Sequence, residues 1–110
     1  MDNTPQNLDI ITATKPFVGR FEAVAIDWSR KAGEIHQWTI DLLETIPQEI
    51  EQAIELEDIT VDSPGALLYN LGGAQEIMNP EFKGDVEVLS QLTAVAKEWA
   101  AAVQAADFNG

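Results

Sequence analysis

The sequence predicts a mainly α-helical fold, a small helical bundle with a long amphipathic first helix, and three observations carry that prediction. Apolar residues recur with helical period over about thirty positions after Pro16, and the C-terminal third repeats the period in an alanine-rich setting. No cysteine is present, so the core has to hold without disulfides or thiolate zinc sites. At 110 residues and 45% apolar content, with three Trp and four Phe, the chain can build one such core despite a net charge of −13. A single domain over 1–110 is expected, with residues 1–7 and 107–110 flexible.

The first helix is read from about 16 to 46. Pro16 suits the first helical position, where its missing N–H is an orphan in any case, with Thr14 or Lys15 just outside. Phe17, Val18, Phe21, Val24, Ala25, Trp28, Ala32, Ile35, Trp38, Leu42, Leu43 and Ile46 then share one half of a helical wheel. Ile26 and Ile40 break the pattern, and Pro47 ends it. The same stretch also alternates, with Val24, Ile26 and Trp28 on one side of a first strand, Trp38, Ile40 and Leu42 on the same side of a second, and Gly33 near the middle between them. The alternative is therefore a small α+β domain with an N-terminal β-hairpin. Before this segment, "NLDIITAT" reads as an arm or a short edge strand.

Beyond Pro47, "PQEIEQAIELE" suits a second, short helix, with Glu51, Glu55 and Asp58 on one outer strip, and "DITVD" reads as extended. Ser63 can cap a third helix that starts at Pro64 and breaks at Gly72-Gly73, and another break is expected at Asn79-Pro80. The last helix places Phe82, Val86, Leu89, Leu92, Ala96, Trp99 and Val103 on its apolar face. A straight 31-residue first helix would be about 46 Å long, against a radius of gyration of about 13 Å for a chain of this size. It would overhang a monomer, which favours a homodimer.

Charge is segregated. Between residues 32 and 82 there is no Lys or Arg, and eleven acids lie there. Such a surface repels phosphates and anionic lipid, so direct nucleic-acid or membrane binding is not expected. The N-terminal residues lack a basic stretch followed by an apolar run, and no stretch is apolar enough to span a bilayer, so a soluble cytoplasmic protein is expected.

Catalytic and cofactor signatures are missing from the sequence. His36 is the single histidine, which excludes a His pair for zinc, and it reads as a boundary residue of the first helix. "ELEDITVDSPG" lacks the spacing of a calcium loop, and Gly72-Gly73 lacks the residues of a phosphate loop. No enzyme activity, metal or other cofactor is expected. The acidic window points instead to a non-enzymatic protein–protein interaction module, an adaptor, chaperone-like factor or regulatory subunit docking a basic partner. Its expected contact residues are Asp41, Glu44, Glu51, Glu55, Asp58 and Asp62, with Trp28 and Trp38 as candidate interface aromatics. Two other readings share the features: an inhibitor that mimics DNA with carboxylates about 5 to 6 Å apart on a helix, and a structural component of a larger assembly.

Overall fold

Four helices follow one another in the computed structural model: α1 (Thr4–Ser29), α2 (Gln37–Glu55), α3 (Ser63–Glu76) and α4 (Lys83–Asn109), with a 3-10 turn at Ala32–Glu34 between the first two. The structure describes residues 4–76 and 83–109, and among them there is no strand. The helical bundle is as the sequence predicts; the β-hairpin alternative is not realised. The expected Asn79-Pro80 break and Phe82 lie outside the described residues.

The long first helix is where sequence and structure part. Instead of running from 16 to 46, the chain reverses between Ser29 and His36, through the Ala32–Glu34 turn and an extended His36 at φ −70°, ψ 156°. Reversal lets the two halves of the apolar stripe cover each other, and the overhang argument for a second copy falls with the straight helix. The molecule measures 52 × 23 × 17 Å.

Both prolines taken as boundaries lie inside helices, Pro16 in α1 and Pro47 in α2. An interior proline costs about 3 kcal/mol in an isolated helix. Here packing on both sides of each ring outweighs that cost. Ile10, Ile11 and Thr14 are buried before Pro16, with Val18, Phe21 and Trp28 after it; Leu43, Ile46 and Ile50 are buried around Pro47, itself buried. The segment "NLDIITAT" is thus the start of α1 and neither arm nor strand.

The core is built mainly on α4, which packs against α1 and α3, while α2 packs on α1. Val88, Leu89, Leu92, Ala96 and Val103 are fully buried, and Trp99 meets Phe21 edge-on at 6.3 Å. Its indole N–H donates to the Thr14 hydroxyl at 2.8 Å, and that hydroxyl donates to the Ile10 carbonyl at 2.8 Å. The buried indole and the Thr14 hydroxyl are thereby both satisfied. Trp28 donates likewise to Gln91 Oε1 at 3.0 Å, with the Lys31 ammonium 4.8 Å from its ring centre.

Val86, assigned to the apolar face of α4, is half exposed, and the buried residue of that turn is Asp85. A reading by residue type places valine inward, but the carboxylate has partners waiting there: the backbone N–H of His36 at 3.0 Å and its ring Nδ1 at 2.6 Å. Gly84, beside it, lets α4 approach the reversal so closely that an added Cβ would lie 2.5 Å from the Glu34 carbonyl oxygen.

Helix α2 ends in a Schellman motif. Asp58 N–H bonds the Ala53 carbonyl at 2.8 Å and Glu57 N–H bonds that of Ile54 at 3.1 Å, with Glu57 at φ 55°. The expected glycine break at Gly72-Gly73 does not occur; α3 runs through both to Glu76. Asp62, rather than Ser63, holds the cap position of α3, its carbonyl accepting from Ala66 N–H at 3.1 Å, while the Ser63 hydroxyl accepts from Thr60 N–H.

Candidate functional site

The reversal after α1 lays α2 antiparallel beside it and leaves a furrow along their seam. Three hollows make it up. The first is lined by Lys15, Val18, Gly19, Glu22, Glu51, Ile54 and Glu55; the second shares Glu22 and Glu51 with it and adds Ala25, Ile26, Leu43, Glu44 and Pro47. The third shares Ala25, Leu43 and Glu44 with the second and ends against Trp28 and Ile40. Their volumes are about 430, 210 and 140 Å³. The floor is aliphatic, the rim carboxylate.

Helical spacing produces the rim. Asp41, Glu44, Gln48, Glu51 and Glu55 follow at intervals of three and four on α2, so they form one exposed stripe. Glu22 answers from α1. Asp41 accepts from the Gln37 amide at 3.1 Å. Asp58 and Asp62 leave the stripe: α2 ends before Asp58, so both belong to the connection into α3, exposed but outside the furrow. Of the six carboxylates expected to act together, the fold keeps four in line and brings three, Glu44, Glu51 and Glu55, to the furrow.

Among the described residues, no ion pair neutralises this stripe. Among the described residues the Lys or Arg ion pair is Arg20 with Glu98, Nη2 to Oε2 at 2.8 Å, and it joins α1 to α4. That bond holds Glu98 below its ordinary range and Arg20 above its own, through the hydrogen bond first and the charge second. The last turn of α2 contains no basic residue, although the negative end of its helix dipole points at Glu55. Lys15 is the cation at one end of the furrow.

The two candidate aromatics separate. Trp28 is sealed in the core at 1% exposure, whereas Trp38 remains 38% exposed and stacks beside His36, with ring centres 6.3 Å apart. Ile26, left outside by the wheel, is 62% exposed at the furrow. Ile40 instead becomes half-buried, because the fold-back sets it beside Trp28 and Ile35 at the end of the furrow.

Two participants escape a reading of the sequence. Glu22 sits in the near-neutral N-terminal part, and only the fold-back brings it opposite Glu51. Asp85 breaks the apolar stripe of α4, a signal that was legible, but its partner is 49 residues away. Burial alone would raise the Asp85 pKa. Hydrogen bonds from the His36 ring, the His36 amide and the Thr39 hydroxyl's influence, together with the nearby imidazole charge, outweigh that and hold it below the ordinary carboxylate range. Thr39 Oγ1 itself is buried without a hydrogen bond of good geometry. His36 and Asp85 thus join the reversal to the start of α4.

Among the described residues, no three His, Asp or Glu side chains converge to hold a metal ion, and no helix is long and apolar enough to cross a membrane. Another hollow, about 190 Å³ and apart from the furrow, lies between α2, α3 and α4 over Trp99. Comparison with known proteins yields no matching family model, no matching curated protein and no matching solved structure.

Proposed function

We propose that this protein is a non-enzymatic acidic interaction module that docks a basic surface of a partner protein on α2 and the turn that follows it. The supporting observation is the exposed carboxylate stripe of Asp41, Glu44, Glu51 and Glu55, faced by Glu22, with Asp58 and Asp62 exposed on the connection beyond it. Acids at the C-terminal end of a helix are locally unfavourable by about 0.3 to 1 kcal/mol. A uniformly acidic surface has no need to concentrate them there.

Exposed ion pairs each contribute only about 0 to 1 kcal/mol. Such a stripe therefore guides encounter and register, and affinity depends on salt and on what the partner buries beside its charges. The even carboxylate spacing on α2 also supports a second reading, an inhibitor that occupies the DNA site of a DNA-binding protein. An aliphatic floor, which phosphate mimicry does not need, weighs toward the first.

The test is capture on the immobilised chain at about 50 and 150 mM salt, a range over which exposed charges become screened. A parallel column carries Glu51→Lys with Glu55→Lys. Basic proteins retained by the wild type, lost by the double variant and indifferent to added duplex DNA support docking; release by duplex DNA supports mimicry. Equal retention by the two columns sinks both.

A further inference from the structure

The docking proposal leaves open what shape of basic partner fits, and the furrow narrows it. We infer that the α1–α2 furrow receives a single cationic amphipathic α-helix, with its apolar residues on the Ile26 floor and its Lys or Arg residues toward Glu22, Glu44 and Glu51. This inference rests on the docking proposal and deepens it.

Length is the first argument. From Lys15 to Ser29 the furrow follows α1 for about 20 Å, the length of four helical turns. Three hollows in series match side chains that recur about once per turn on one face of a helix. A strand would present alternate residues about 7 Å apart to both sides and leave half of them facing solvent.

Position is the second. Thr14, Phe21 and Trp28 turn α1 toward α4, whose Trp99 and Gln91 they meet. The furrow occupies another flank of α1, where Gly19 leaves open space and Ile26 stays exposed. Two antiparallel helices with an open seam accept a third in the groove between them. Charge complementarity selects the occupant, since among the described residues the rim carries Glu22, Glu44, Glu51 and Glu55 against Lys15.

Three labelled peptides of about 18 residues, five helical turns, test this by fluorescence anisotropy with the full chain. One is a Leu/Lys sequence with Leu at helical spacing, one its isomer with the Leu residues scrambled, and one poly-Lys. Ile26→Asp and Gly19→Leu are the variants. Ile26→Asp removes the apolar seat while adding negative charge, so Coulomb attraction alone predicts equal or tighter binding; Gly19→Leu fills the largest hollow without changing charge.

The expected result is that the amphipathic peptide binds at least about tenfold more tightly than its isomer at 150 mM salt and becomes helical on binding. Both variants should lose about that factor for the amphipathic peptide and none for poly-Lys. If the isomer binds equally, or if Ile26→Asp leaves the amphipathic peptide unaffected, the helix inference is overturned. Binding of poly-Lys and the isomer that Glu51→Lys with Glu55→Lys abolishes would then leave the broader docking proposal standing. Binding of none of the three peptides would remove both.

Discussion

His36 and Asp85 form the joint between the two halves of the fold: the carboxylate at the start of α4 lies 2.6 Å from the imidazole and accepts the backbone N–H of the same residue at 3.0 Å. An ionised carboxylate only accepts, so Nδ1 carries the proton in this contact. The joint satisfies the first orphan donor before α2 with a side chain from another helix, where a local cap would ordinarily stand.

Asp85 should give the fold an acid-sensitive component. A carboxylate held below its ordinary value of 3.8 in the folded state stabilises that state fully above the ordinary value. The contribution disappears as pH falls through the lower, folded value. Asp85→Asn should be less stable than wild type by about 1.5 to 3 kcal/mol near neutrality. In urea unfolding at a series of pH values, the gap between the two proteins should persist down to about pH 4 and shrink below it. A gap that widens with acid would contradict the assignment.

Two glycines should respond to alanine with opposite sign. Gly84→Ala places a methyl 2.5 Å from the Glu34 carbonyl oxygen and 2.7 Å from Ile35 Cγ2, and the backbone atom cannot swing away. Overpacking of about 1 to 3 kcal/mol exceeds the helix-propensity gain of about 1 kcal/mol, so the protein should lose stability. Gly72→Ala meets nothing within 4 Å on exposed α3 and should gain about 0.5 to 1 kcal/mol. Denaturant midpoints of the two variants measure both.

Among the described residues Glu57 is the non-glycine residue at positive φ, 55°, at the position of the Schellman motif where glycine is usual. Glu57→Gly should be more stable than Glu57→Ala by up to about 1 kcal/mol, because both lose the same carboxylate and only alanine keeps the left-handed strain, which exceeds the added freedom of the unfolded glycine chain. Equal helicity by circular dichroism, with a higher melting temperature for the glycine variant, is the expected result.

The carboxylate stripe should also be visible in salt. Raising sodium chloride shortens the screening length from about 30 Å at 10 mM to about 8 Å at 150 mM. The melting temperature should rise by about 2 to 5 °C over that range, and by less in Glu51→Lys with Glu55→Lys. Equal salt responses in the two proteins would mean that these residues contribute no net repulsion.

Much of the helical content was legible because Phe17, Phe21 and Trp28, or Leu89, Leu92, Ala96 and Trp99, repeat at the period of one helix face. The boundaries were not. Pro16 and Pro47 carry strong local stop signals, yet tertiary burial outweighs a penalty of about 3 kcal/mol, and Gly72-Gly73 continues as helix within α3, which packs along α4. The reversal at residues 30–36 left little trace beyond Gly33, since the stripe has nearly the same phase on both sides. For the candidate site, Asp41, Glu44, Glu51 and Glu55 were readable as a row, being neighbours on one helix. Glu22 and the floor at Ile26 were not, because their place depends on two helices meeting.

By itself the sequence determined the helical class and the segregation of charge, since side-chain period and residue type are local properties that folding does not change. Where α1 ends, which way α4 faces at Asp85 and which carboxylates share a furrow were decided only by tertiary structure. Those outcomes depend on partners far apart in the chain, and their burial and hydrogen bonds override local preference.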